Sequence, residues 1–530
     1  PTRRSSDLAT PVLDNAGNIS DLSYTRYGND TELSFSSKLD WQVMRTYIWG
    51  KVNYEKDFGM HHLDVAGIFS QGRKKYLKAN NTYMFRDYMA HVSYNYDSRY
   101  LADVVFSYSG SGKLPTGDKY RIYPAVSVAW VASNEQFMKR FSALDYLKLR
   151  ASFGITGNDS RLSYDMDKQF NGGGNSYIFV GTSSTYGLAQ GGFPSTGVEP
   201  EKEYKANVGV ELGLWKGFSM QVDAFYNRRK QIKGESSGIY STVVGRGMPF
   251  LFNGEVKNYG GEISMGWQQQ LNHFGYSIQG NVSYAKNEII NINEGYHPYG
   301  YMYYTGHSIG QFYGLIAEGL YQKEDFDAQG NLLPGAPVST YEAKLQPGDV
   351  KYKDLNEDGK IDNYDHCYQQ NTTLPEIYYG FSLGLNYKNW GLKANFQGVA
   401  HYSVWNTLAS VYRPLYGNDK SISRYYLENR WTETTPNARY PRLTTLSNNH
   451  NYQNSNLWME KGDYLKLRVL ELSYRLPTKL TEKMRMSDCR LFLKGMNLFS
   501  IDHIDIMDPE QINAEYPSSR SYLIGINVLF

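Results

Sequence analysis

The sequence predicts an all-β fold, an antiparallel transmembrane β-barrel. Three observations carry that expectation. Apolar and polar residues alternate with a period of two from end to end, the mark of strands with two unlike faces. No apolar run approaches the roughly 18 residues that a membrane-crossing helix needs. Aromatic residues are in excess, with 48 Tyr, 23 Phe and 9 Trp among 530 residues. A barrel reconciles the three, because only every second residue meets lipid and the mean hydropathy stays negative.

The elements follow in order. Leu147, Leu149, Ala151, Phe153 and Ile155 alternate with Lys148, Arg150, Ser152 and Gly154. Ala206, Val208, Val210, Leu212 and Leu214 alternate with Asn207, Gly209, Glu211 and Gly213, and a short turn at Trp215-Lys216-Gly217 leads into Phe218, Met220, Val222, Ala224 and Tyr226. Two such segments across so short a turn predict an antiparallel hairpin. Tyr276 to Tyr284 and Tyr379 to Tyr387 repeat the design, with Gln279 and Asn281 on a polar face. About 16 strands are expected, many of roughly 9 to 13 residues, longer than the globular norm. No helical periodicity competes with them.

Short turns near 57–60, 215–217 and 388–391 contrast with long stretches near 158–200, 233–256, 289–309, 323–348 and 403–457. Short turns at one end and long loops at the other fit an outer-membrane barrel. The apolar faces end in aromatics at Tyr100 and Tyr108, Tyr276 and Tyr284, and Tyr379 and Tyr387, the spacing of two interfacial girdles. The last strand sets Tyr522, Ile524, Ile526, Val528 and Phe530 on one face. A soluble sandwich or propeller also alternates, but here nearly every strand carries a fully polar second face.

Charge and cysteine content narrow the class. The chain has 55 Lys and Arg against 53 Asp and Glu, far from the basic excess of a nucleic-acid surface. Cys367 and Cys489 are too few for a disulfide framework. Residues 1–8 fit none of the strand pattern and are set aside as a non-native or scar segment, leaving 9–530 as barrel with long extracellular loops.

One motif carries chemistry. Asp354, Asn356, Asp358, Lys360, Asp362 and Asp365 occupy positions 1, 3, 5, 7, 9 and 12 of a D-x-[DN]-x-[DN]-G loop. Side-chain oxygens, with the carbonyl at Lys360, form the hard donor set that calcium needs, and Gly359 permits the sharp turn between them. Asp365 stands where a longer Glu is usual, which weakens the site, and the flanks are not helical. The expectation is a structural calcium in an EF-hand-like loop, with no organic cofactor; a metal-free Asx-rich turn is the competing reading. His61-His62 is expected to be a solvated pair at a turn, and His307 and His401 to be structural. The aromatic run from Gly295 to Thr305 either packs locally or stacks on a ligand. No hydrolase, zinc-protease or phosphate-loop motif is present, so the chain is not expected to be an enzyme.

Several segments resemble the SusC/RagA family of TonB-linked outer-membrane transporters. They are Tyr123 to Trp130, Leu147 to Asn158, Asn258 to Glu262, Ile309 to Gly314, Glu318 to Gln322, Gly348 to Asp362, Tyr440 to Leu443, Gly462 to Arg468, Asn497 to Phe499, Tyr516-Pro517 and Arg520 to Phe530. The resemblance implies a 22-stranded plugged barrel in the outer membrane of a Gram-negative bacterium, of which this chain is the C-terminal part, without plug or TonB box. It implies TonB-dependent import of oligosaccharides or peptides, with a SusD-like lipoprotein over the mouth, TonB engaged through an N-terminal part outside this chain, and lipid around the wall. Lys148, Arg150, Gln279 and Asn281 would then line the lumen. The alternative is a non-transport barrel of adhesin or assembly type.

Overall fold

The computed structural model describes residues 7–13, 19–26, 37, 42–76, 82–168, 170–178, 184–236, 241–408, 410–415, 421–446, 448–514, 516 and 518–530. Residues 1–6 of the segment set aside above, and Pro517, lie outside the described residues. Asp7 and Leu8 belong to a hairpin of Asp7–Leu13 with Ile19–Arg26.

Fifteen long strands form one antiparallel sheet. They are β1 (Val43–Phe58), β2 (His61–Tyr76), β3 (Thr82–Tyr96), β4 (Tyr100–Ser111), β5 (Tyr120–Val131), β6 (Leu144–Asn158), β7 (Glu201–Leu214), β8 (Phe218–Gly234), β9 (Leu251–Leu271), β10 (Phe274–Asn291), β11 (Ile377–Tyr387), β12 (Trp390–Ala400), β13 (Tyr464–Arg475), β14 (Asp488–Asp502) and β15 (Ser521–Leu529). Each strand from β2 to β14 is paired with the strand before it and the strand after it, in chain order. Among the described residues β1 and β15 have no outer partner, so the sheet is open.

The connections sort by end. Tight turns join β1 to β2 at Gly59-Met60, β9 to β10 at Asn272-His273 and β11 to β12 at Lys388-Asn389. Positive φ at Gly59, Trp215, Lys216, Asn272 and Lys388 suits the right-handed twist of the strands they connect. The other end carries 159–200, 235–250, 292–376, 401–463 and 503–520. Two details differ from the sequence reading. The turns are so tight that Trp390 opens β12, and His61 and His62 open β2. Among the described residues the count is 15 long strands; the remaining extended segments are the hairpin of Asp7–Leu13 with Ile19–Arg26 and shorter ones within the loops.

Register explains the two faces. Across five strands Leu149, Val210, Val222, Ile263 and Val282 lie in one row. One residue along, Arg150, Gly209, Asp223, Glu262 and Ser283 lie in the next, on the opposite face. The apolar face is bare, with Val208 58% and Ile278 50% exposed. A contiguous apolar surface of this size is not tolerated in water and fits lipid. Aromatics bound it at both ends: Trp215 stacks on Trp267 and Trp390 packs on Tyr474 near the tight turns, while Tyr88, Tyr108 and Tyr120 form a chain near the loops. From Tyr100 to Tyr108 along β4 is about 26 Å at the usual rise, close to the apolar height of about 25 Å for such barrels. Among the described residues no helix is long and apolar enough to cross a membrane.

Candidate functional site

The polar face is wired by charge. Lys148 Nζ lies 3.4 Å and Arg150 Nε 3.2 Å from Glu211, and Arg150 Nη2 donates to Asp223 at 2.6 Å. Gln221 also donates to Asp223, which is buried. Gly209 leaves room for the pair, since a Cβ there would fall 2.6 Å from Asp223 Oδ1 and 2.9 Å from Arg150 Nε and would push the two side chains aside. Asn281 shares a row with Glu211, Gln221 and Ser264, and Gln279 points to the same side one step away. Lys148, Arg150, Gln279 and Asn281 therefore stand on one polar face.

The loops hold a core of their own. The segment 292–376 packs on the segment 401–463 through Asp349, which is fully buried. Arg442 Nε donates to Asp349 Oδ1 at 2.7 Å, Asn451 Nδ2 at 2.9 Å and Asn448 Nδ2 at 3.2 Å, while Asp349 Oδ2 accepts from the Gln346 amide. Buried carboxylates persist only when satisfied in this way. His450, also fully buried, donates from Nε2 to the Val350 carbonyl at 2.7 Å, so its Nδ1 accepts from Ser339 Oγ. Burial pushes the His450 pKa below the usual histidine value against the pull of the Val350 carbonyl, Asp349 and Glu342. Beside these groups Tyr426, Tyr440, Tyr452 and Trp458 stack at 5.0–5.8 Å between ring centres. Gly348 lies at φ +87° against the Trp431 ring, where a side chain would collide at 2.5 Å. The segment 503–520 is clamped separately, by Lys466 Nζ on Asp508 at 2.9 Å and Glu510 at 3.0 Å.

The six residues of the EF-hand-like motif form a chain of Asx turns. Asp354 Oδ2 accepts from the Gly359 amide, Asn356 Oδ1 from Asp358, Asp358 Oδ1 from Lys360 and Asp362 Oδ1 from Tyr364. Asp365, fully buried, accepts the Leu355 and Asp362 amides on its two oxygens. Lys360 pairs in a two-residue parallel bridge with Val338, and Val350–Tyr352 upstream is a short strand on Ala317–Leu320. Asp354 Oδ1 is buried with no hydrogen-bond partner. Among the described residues no group of three or more His, Cys, Asp or Glu side chains is placed to hold a metal.

The other singled-out residues are mostly built in. His62 Nδ1 is 2.7 Å from Asp57, His61 Nδ1 is 2.6 Å from Tyr94 and His401 Nδ1 is 2.7 Å from Glu376. His307 stacks on Tyr368. In the aromatic run, Tyr301 stacks on Tyr299 and donates to the Tyr364 carbonyl, and Tyr304 stacks on Tyr368. Tyr296 alone among these tyrosines is almost bare, at 86% exposed. The sequence reading missed the Asp349 hub, although Gly348-Asp349 and Arg442 both fell inside segments it had singled out; nothing in the sequence pairs residues about a hundred positions apart.

These features define a class: the wall and the loop end of an outer-membrane β-barrel. No family model matches the chain. Among curated proteins it is 24% identical to TonB-dependent receptor P3 of Formosa agariphila, over 90% of this chain and 52% of that protein. It is 21% identical to TonB-dependent receptor SusC of Bacteroides thetaiotaomicron, over 84% and 43%. The chain spans about half the length of the curated relatives it matches. Two solved structures share its fold: the RagAB peptide transporter, with TM-score 0.69, 18% identity and coverage of 92% of this chain and 56% of that one, and the RagAB peptide importer in its open-open state, with TM-score 0.70, 19% identity and coverage of 92% and 55%. The chain is thus similar to TonB-dependent receptors of the SusC/RagA type and shares the fold of part of an outer-membrane β-barrel.

Proposed function

We propose that this chain supplies wall and extracellular mouth to a TonB-dependent importer that carries oligosaccharides or peptides across the outer membrane. The observation that carries the reading is the division of labour in one sheet. One face is bare and apolar over a membrane's depth, the other bears the Lys148, Arg150, Glu211 and Asp223 ladder, and the long loops gather at one end. An open sheet edge has no place in lipid, so β1 and β15 are closed by further strands in the working protein, and 9–530 acts as the C-terminal part of its barrel. A SusD-like lipoprotein would sit over the loop end, and TonB would act through a plug. Membrane fractionation of the complete gene product, followed by uptake of labelled oligosaccharides and peptides with and without TonB, tests this. Recovery in the soluble fraction, or uptake indifferent to TonB, overturns it.

The loop at 354–365 is proposed as a structural calcium site. The support is Asp354: Oδ2 is engaged by the Gly359 amide while Oδ1 is buried and unpartnered, which leaves an oxygen for a cation at the first loop position. Asn356, Asp358, the Lys360 carbonyl, Asp362 and Asp365 would complete the oxygen set. The ion would fix the loop on which Tyr299 and Tyr301 pack. Calcium should raise the amide protection of 350–372, and an Asp354→Ala variant should lose that response; protection unchanged by calcium would sink the proposal.

A further inference from the structure

A cavity lies on the polar face of the wall, where β7 to β10 rise toward the loops. It measures about 440 Å³, within the roughly 300–1,000 Å³ of small-molecule sites. Its floor is a row of three asparagines in strict register across adjacent strands, Asn227 on β8, Asn258 on β9 and Asn287 on β10. Neighbouring strands are about 4.8 Å apart, so the row spans about 10 Å. Asn287 Oδ1 accepts from the Ile309 amide at 2.6 Å, which orients its Nδ2. The amides of Asn227 and Asn258 make no hydrogen bond among the described residues.

Glu201 closes one side. It is 3% exposed; its Oε2 accepts from Asn158 Nδ2 at 3.4 Å and lies 3.8 Å from Arg229, while its Oε1 has no hydrogen-bond partner and lies 3.8 Å from Arg161. Glu203 is paired with Arg229 at 3.2 Å. Two carboxylates thus face two guanidinium groups, and Lys233 is held by Asp165 at 2.7 Å, so the cavity has no net charge with which to draw an ion. The opposite wall is aliphatic. A bulge in β8, with Gln231 at φ +59°, turns Ile232 into the cavity beside Val256 and Ile289.

Side-chain amides that can both donate and accept, a buried carboxylate with one oxygen unpartnered, and an aliphatic wall without net charge match one chemistry. Vicinal hydroxyls pair with amides and carboxylate, and the C–H face of a ring lies on the aliphatic side. An extended peptide would want free backbone groups to pair with, and the backbone here is consumed by the ladder. Resting on the importer reading above, we infer that Glu201, Asn227, Asn258 and Asn287 form a subsite for a neutral sugar ring in the entrance of the barrel.

The test uses the complete gene product with whatever partner co-purifies. Neutral hexasaccharides of α-1,4-glucan, β-1,3-glucan and β-1,4-xylan, and an uncharged Ala/Ser hexapeptide, are titrated by calorimetry. At least one sugar should bind, and Asn258→Leu and Asn227→Leu should each weaken it by about tenfold, the scale of one lost set of polar contacts. Glu201→Gln should weaken it as well. Should a Leu variant fail to reach the heat-resistant form, Asn258→Ser takes its place. Sugar affinity unmoved by these changes, binding of the peptide alone, or binding of none of the probes overturns the subsite. TonB-dependent uptake that survives in such a case leaves the importer standing, whereas wild-type uptake indifferent to TonB defeats the importer itself.

Discussion

The wall and the loop assembly obey opposite rules of burial. Of the twelve largest fully buried side chains among the described residues, only Ile289 lies in a long strand; Trp458, Tyr321, Tyr352, Tyr426, Tyr440 and His450 all lie in the loops. The wall leaves Val208, Ile278 and Ile526 open on its apolar side, because lipid fills the role that a core plays elsewhere. The loops sit in water and must pack against themselves, so they have built a small soluble-type core with a buried ion pair at its centre. One chain thus satisfies two solvents, and a substitution should act according to which solvent its surroundings answer to.

The sharpest break is at Asp349. Asp349→Ala leaves Arg442, Asn448 and Asn451 without their acceptor and should destabilise the loop assembly by about 3–5 kcal/mol. Hydrogen exchange should rise across 315–352 and 440–458 while the wall keeps its heat resistance. Next is the reverse case, a charge on the lipid side: Ile263→Arg should cost about 2–4 kcal/mol and reduce the heat-resistant fraction, whereas Ile263→Leu should stay within about 1.5 kcal/mol.

A smaller effect follows from His450. Its folded pKa is depressed, so it is neutral in the packed loops and takes up a proton on opening below the unfolded value of about 6.5. Loop stability should be full above that pH and fall on acidification, by at most about 1.4 kcal/mol per unit until the folded value is reached. Comparing amide protection of 440–458 at pH 7.5 and 5.5 checks the sign, and His450→Gln should flatten the step. Least of all, Lys148→Ala on the half-exposed lumen face should cost under about 1 kcal/mol and leave thermal melting unchanged.

What was legible in the sequence follows the same boundary. The wall was legible because a strand has one period and two environments: Leu147 to Ile155 and Ala206 to Tyr226 declared both faces, and the pairing of β6, β7 and β8 matches. The two-residue turns were placed loosely, since Trp390 and His61 are as apt for a turn's flank as for a strand's first residue. The Asx ladder at 354–365 was legible from spacing, being entirely local. The Asp349 hub was not, because Arg442, Asn448 and Asn451 carry no periodicity and meet it only through the fold. The asparagine row likewise appears only once the registers of β8, β9 and β10 are known.

The joining of the two long loops also orders events in time. Val350 bonds to Asn451 and Ala317 to Asn456, separations of 101 and 139 residues. Contacts so remote are slow to close, and β11 with β12 lies between the two segments. Protection of 315–352 and 440–458 in pulse-labelled hydrogen exchange is therefore expected to follow that of β11 and β12 during refolding, and loops protected before the wall would refute this order.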